Sequence, residues 1–171
     1  MMAANLERRS CSPTEISFFR DHMAGNSATG GWALEKLANG AALSVEVVAG
    51  IEAIAELTTF FKNIGAAISS ARTGDCRFRV RHAVGLLELP EYKKDRAVAE
   101  MRTKVLRYRR LFDGPGSSPV VTLVQFTDAL IVLDRNHTIM AAYLYALEHP
   151  ARPYALSVFI LGSTDSIEVL G

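Results

Sequence analysis

The chain has 171 residues, 49% of them hydrophobic and 22% charged, which suits one globular domain or one domain with an appendage. Nineteen basic and eighteen acidic residues leave a net charge of +1, so no global field recruits nucleic acid or a membrane surface. Two well-separated cysteines, Cys11 and Cys76, exclude a disulfide framework and a CxxC motif. The polar run at 5–10 stands where a secretory segment needs apolar residues, so a cytoplasmic location is expected.

The first predicted element is a helix over "SPTEISFFRDHMAGN". Ser12 is placed to cap it, Pro13 suits the first helical position, Glu15 completes a capping box, and Gly25 ends it. Cys11 and Ile16 are spaced as a hydrophobic staple. A shorter helix is expected over 31–38, before Asn39 and Gly40. Over 44–69 the spacing of Val47, Ile51, Ile54, Leu57, Phe61, Ile64 and Ile68 predicts one long amphipathic helix. Glu46, Glu52, Glu56 and Lys62 exclude a membrane span there, and the stripe reads as a helical hairpin or a homodimer seam.

After "SARTGD" the pattern changes. "RFRVR" alternates and predicts a strand with Arg77, Arg79 and Arg81 on one face. "AVGLLELPEY" is expected to continue extended. An amphipathic helix over 92–112 turns Val98, Met101, Val105, Tyr108 and Phe112 inward. "VVTLVQ" and "ALIVLD" read as two strands around a turn, 137–148 as a helix stopped by Pro150, and "YALSVFIL" and "SIEVLG" as late strands. The chain thus divides near residue 74 into a helical segment, 1–74, and an α+β domain, 75–171.

The turn "DRNHT" between an apolar strand and an apolar helix carries the chemistry. A helix start presents unpaired N–H groups and partial positive charge, which favour an anion. Asn136 is a good cap, and Asp134 can orient an imidazole or hold a metal. Arg135 can clamp a phosphate, and His137, its charged form disfavoured by the dipole, can act as a base. The competing reading of the same residues is an ordinary turn and cap. His22, His82 and His149 show no metal-ligand spacing and read as structural or surface residues.

The run "SPVVTLVQFTDALIVLDRNHTIMAAYLYALEHPARPYALSVFIL" resembles the core of the ParB/sulfiredoxin-like superfamily. That pattern is a strand, a turn, a second strand ending in Asp-Gly-(Asn/His)-His-Arg, a helix starting with small residues, and a closing strand. Here 118–121 matches the lead-in, 132–134 the second strand's end, Asn136 and His137 the polar pair, Ala141 and Ala142 the helix start, and 156–160 the closing strand. The resemblance covers about 90 of the 171 residues. It implies a small mixed-sheet domain whose turn cradles phosphates of a nucleotide or a phosphorylated small molecule, as a di- or triphosphate with Mg²⁺. It implies phosphoryl transfer or nucleotide hydrolysis, with Asp134 and His137 catalytic, Glu88 or Glu91 as the base, and Asn136 against the cofactor; Arg135 and Thr138 are the further candidate cofactor contacts in the same turn. Two positions depart from it. Arg135 stands in place of glycine, and Thr138 in place of arginine.

A second expectation concerns the 92–112 helix, which carries eight basic residues against two acidic ones. Lys104, Arg107, Arg109 and Arg110 form its candidate nucleic-acid or phosphate patch. On that reading the protein is a non-catalytic module presenting a basic helix to nucleic acid or a protein partner.

Overall fold

A computed structural model describes residues 8–26, 29–60, 77–90, 93–114 and 120–167. In chain order the elements begin with Arg9–Ser10 (β1), Pro13–Ala24 (α1), Gly30–Ala38 (α2) and Leu43–Ala49 (β2). Ile51–Glu56 (α3), Thr58–Phe60 (β3), Arg77–Arg79 (β4) and Val80–Glu88 (α4) follow. Arg96–Leu111 (α5), Val121–Gln125 (β5), Leu130–Asp134 (β6), Asn136–Glu148 (α6) and Ala155–Gly162 (β7) complete them.

The described residues thus hold six helices and one seven-stranded mixed sheet, in the order β1-β2-β7-β5-β6-β3-β4. The β5–β7 and β3–β6 pairs are parallel and the others antiparallel. Strands from both sides of residue 74 share this sheet. Its strands β5 and β6 are buried on both faces, as continuous apolar runs such as "LIVL" require. On one face Phe19 and Met23 of α1 and Ala33 of α2 pack on Val124, Ile131, Leu133 and Phe159. On the other, Ile54, Val84, Leu87, Val98, Met101 and Ile139 bring α3, α4, α5 and α6 onto Val121, Leu123, Val132 and Leu156.

The entry to α1 follows its sequence signals. Ser12 Oγ accepts from the Glu15 N–H at 3.2 Å, and Glu15 accepts from the Ser12 N–H at 2.9 Å. Arg9 bonds the same carboxylate, and these contacts hold the Glu15 pKa down near 2. Asp95, unforeseen as a cap, accepts from the Val98 N–H and starts α5.

Three expectations are corrected. The single helix over 44–69 is replaced, as far as residue 60, by strand β2, helix α3 and strand β3. Val45, Val47 and Val48 are β-branched, and all seven residues of β2 pair with β7. Gly50 then takes φ +87°, a conformation closed to most side chains, and breaks the segment. The homodimer seam thereby loses its helix over 44–60, and Val48 and Ile54 are buried in this chain's own core. Residues 61–69 lie outside the described residues.

Second, the segment after Arg79 is helical. Val80, Ala83, Val84 and Leu87 fall at helical spacing and are all buried. Arg81 therefore leaves the expected strand face and pairs with Glu52, at 2.9 Å, and with Glu56. Third, 166–167 are not in a strand, and 168–171 lie outside the described residues. None of the helices among the described residues is long and apolar enough to cross a membrane.

Gly30 sets how closely α2 meets the end of α1. A Cβ there would lie 1.9 Å from the Met23 carbonyl oxygen, whereas one on Gly31 would meet nothing within 4 Å. Gly30→Ala should therefore destabilise the fold by about 2–3 kcal/mol through overpacking. Gly31→Ala should be neutral or stabilise by up to about 1 kcal/mol. Urea denaturation of the two variants measures the contrast.

Candidate functional site

The site is built at the end of β6. Opposite β5, Thr122 pairs with Asp134 but Leu123 pairs with Val132, so Leu133 is an extra residue in β6. Such a bulge turns the following side chain. Val132 still faces the α5–α6 side, whereas Leu133 and Asp134 both address α1.

Asp134 is 9% exposed and meets two groups from the end of α1. His22 Nε2 lies 2.6 Å from Oδ2, and Asn26 Nδ2 donates to Oδ1 at 2.6 Å. His22 occupies the last turn of α1, and Asn26 follows Gly25 at its C-cap. Both carboxylate oxygens are therefore engaged by residues more than a hundred positions away in sequence.

The chain then enters α6 through Arg135, at φ 65° and ψ 37°. Arg135, not Asn136, is the cap, and its side chain makes no capping bond. Asn136 takes the first helical position instead. The left-handed conformation costs a non-glycine residue about 1–2 kcal/mol. This is the position where the resemblance places glycine. The Arg135 side chain is half-exposed, with Nε 3.8 Å from Asp134 Oδ2.

A cavity of about 510 Å³ opens here. His22 lines it from α1, Asn26 from just after α1, Tyr108 from α5, and Asp134, Arg135, His137 and Thr138 from the turn. Thr138 is 6% exposed. His137 has its pKa pushed down to about 4, chiefly by burial and secondarily by the charge of Lys104. Burial and Lys104 thus hold its imidazole neutral at pH 7.

The cavity does not gather the other expected residues. Glu88 ends α4, exposed, and pairs with Arg102 at 3.2 Å and Lys93 at 3.8 Å. Glu91 lies outside the described residues. On α5, Arg109 pairs with Asp113 at 3.0 Å and with Glu148, and lies over the Tyr145 ring. Lys104, Arg107 and Arg110 are exposed and have no ion-pair partner among the described residues. His149 stacks on Tyr145 and bonds its carbonyl, in keeping with a structural role.

The sequence alone reads His22 as a structural or surface residue and does not single out Asn26 as a site residue. Their i, i+4 spacing at a helix end was the available signal, but nothing local connects it to Asp134. Among the described residues no group of three His, Cys, Asp or Glu side chains is arranged to hold a metal. Comparison of the chain with protein-family models, curated proteins and solved structures finds no match.

Two outcomes follow from this geometry. Arg135→Gly should be more stable than Arg135→Ala by about 1 kcal/mol, because only glycine takes the left-handed turn without strain. Paired denaturant melts measure that difference. For His137, the folded pKa of about 4 lies below the unfolded value of 6.5. Between these values the unfolded chain takes up a proton that the folded chain refuses. Its stabilising effect is complete above about pH 6.5 and fades as pH falls toward 4. Melts at pH 7 and 4.5 should show His137→Gln losing about 2 kcal/mol less than the unaltered chain.

Proposed function

We propose that the 134–138 turn and its cavity bind the phosphates of a nucleotide or a phosphorylated small molecule, for phosphoryl transfer or nucleotide hydrolysis. One observation carries the reading. Arg135, a neutral His137 and Thr138 line a 510 Å³ cavity at the start of a thirteen-residue helix. That volume falls within the usual range for small-ligand sites, and the helix start favours an anion. The order β5–β6–α6–β7 and the left-handed backbone at Arg135 support the ParB/sulfiredoxin-like reading of this segment.

Arg135 contributes a charged, forked donor beside the helix start. His137 offers a neutral donor or acceptor, according to its tautomer. Asp134 serves as an anchor, because its oxygens are engaged by His22 and Asn26. The same engagement makes Asp134 ill-suited to hold Mg²⁺, so a magnesium ion would belong to the nucleotide's phosphates. The exposed Tyr108-side charges, Lys104 above all, add attraction for the phosphates.

A second reading has its own observation. Among the described residues Lys104, Arg107 and Arg110 of α5 have no ion-pair partner, which suits a non-catalytic module docking a polyanion or an acidic protein. Calorimetry with ATP and ADP, with and without Mg²⁺, separates the two. On the first reading Arg135→Ala and His137→Ala each weaken nucleotide binding about tenfold or more while the fold persists. On the second, binding survives both changes and falls with salt and with charge reversal at Arg107. Unchanged nucleotide affinity in both alanine variants overturns the first.

A further inference from the structure

We infer that His22 is the proton-accepting residue of this site and that Asp134 positions it, an inference that rests on the phosphate-binding reading above. His22 comes from α1, outside the segment that carries the family resemblance. It nevertheless lines the same cavity as Arg135, His137 and Thr138.

The geometry assigns its tautomer. Nε2 lies 2.6 Å from a carboxylate oxygen that can only accept, so Nε2 carries the proton and donates it. In the neutral ring the lone pair is then on Nδ1. Among the described residues Nδ1 has no hydrogen-bond partner. Asn26 holds the second oxygen of Asp134, so the carboxylate cannot rotate away from the imidazole without breaking a second bond. An acceptor-only carboxylate that orients a histidine and stabilises its protonated form is a recurring arrangement for base catalysis.

The other candidates are less suitable. His137 is held neutral by burial and by Lys104, so it resists a proton. Glu88 faces solvent and is paired with Arg102 and Lys93. Asp134 has both oxygens occupied. His22 alone among them combines an open nitrogen, a place on the cavity wall and a carboxylate to balance the charge it acquires.

The step assigned to it is attack of water on the terminal phosphorus of a bound phosphoanhydride. Nδ1 takes a proton from the water as its oxygen bonds to phosphorus. The bond from phosphorus to the bridging oxygen breaks, and that oxygen leaves with the electron pair on the shortened nucleotide. Imidazolium forms opposite Asp134, and its proton passes to solvent as phosphate departs.

The test uses the full chain with ATP and Mg²⁺, measuring binding by calorimetry and turnover by phosphate release. His22→Gln keeps an amide donor for Asp134 but lacks the ring nitrogen. It should leave Kd within about threefold and lower kcat by about a hundredfold or more. His22→Ala should be similarly slow and should regain turnover in added imidazole, a rescue that a purely structural role does not give. Thermal melts identify a variant that fails to fold, and the imidazole arm then decides. No ATP binding by the unaltered chain removes the phosphate-binding reading itself. Binding without phosphate release, or full turnover in His22→Gln, overturns His22 while leaving that reading intact.

Discussion

The Asp134 carboxylate is the constraint around which this site is organised. It is almost fully buried, and it receives His22 and Asn26 from the opposite end of the chain. A buried carboxylate deprived of its partners is strongly destabilising, by about 3–5 kcal/mol in typical cases. The bond pair therefore does more than decorate a turn. It fastens the C-terminal end of α1, which lies on one face of the sheet, to the start of α6, which lies on the other. The bulge at Leu133 makes this geometry available, because regular β6 pleating would aim Asp134 at the α5–α6 side.

Arg135 shows the same priority of geometry over local preference. Its backbone sits where glycine would be unstrained, yet the residue carries a long cationic side chain. Strain of this kind concentrates where the surroundings enforce a conformation. Here the enforcing neighbours are the anchored Asp134 on one side and the buried first turns of α6 on the other. Thr138, Ile139, Met140, Ala141 and Ala142 are all buried, so α6 cannot shift to relieve the turn. The helix start is held rigidly, with a cation at its mouth.

Much of the architecture was legible in the sequence, and the misses share a cause. The α1 capping box, the paired strands β5 and β6, the helix α6 and the strand β7 all follow from local signals that tertiary packing supports. Residues 44–60 failed because valines and isoleucines satisfy a helical stripe and a strand alternation at once. Pairing with β7 and the left-handed Gly50 decide between them, and neither is visible in a window of residues. Val80–Glu88 failed because the alternation of "RFRVR" was carried one element too far. At the site, the turn could be located from its order of residues. Its partners could not, since His22 reaches Asp134 only through the packing of α1 on the sheet, across 112 positions of sequence.

The basic character of α5 also changes once the fold is known. Counted along the sequence, the helix is strongly cationic. In the folded chain Arg102 and Lys93 are met by Glu88, Arg96 by Glu100, and Arg109 by Asp113 and Glu148. Exposed pairs of this kind contribute little stability, but they cancel charge at short range. Among the described residues of this stretch the cations left without an ion pair are Lys94, before α5, and Lys104, Arg107 and Arg110 on it. Lys104 is close enough to weaken proton binding at His137, and Tyr108, one turn further along α5, lines the cavity. Part of the helix's remaining positive field is thus directed at the 134–138 turn. The helix start, Arg135 and Lys104 therefore favour the same sign of ligand, and the buried Asp134, screened by His22 and Asn26, opposes them only from behind.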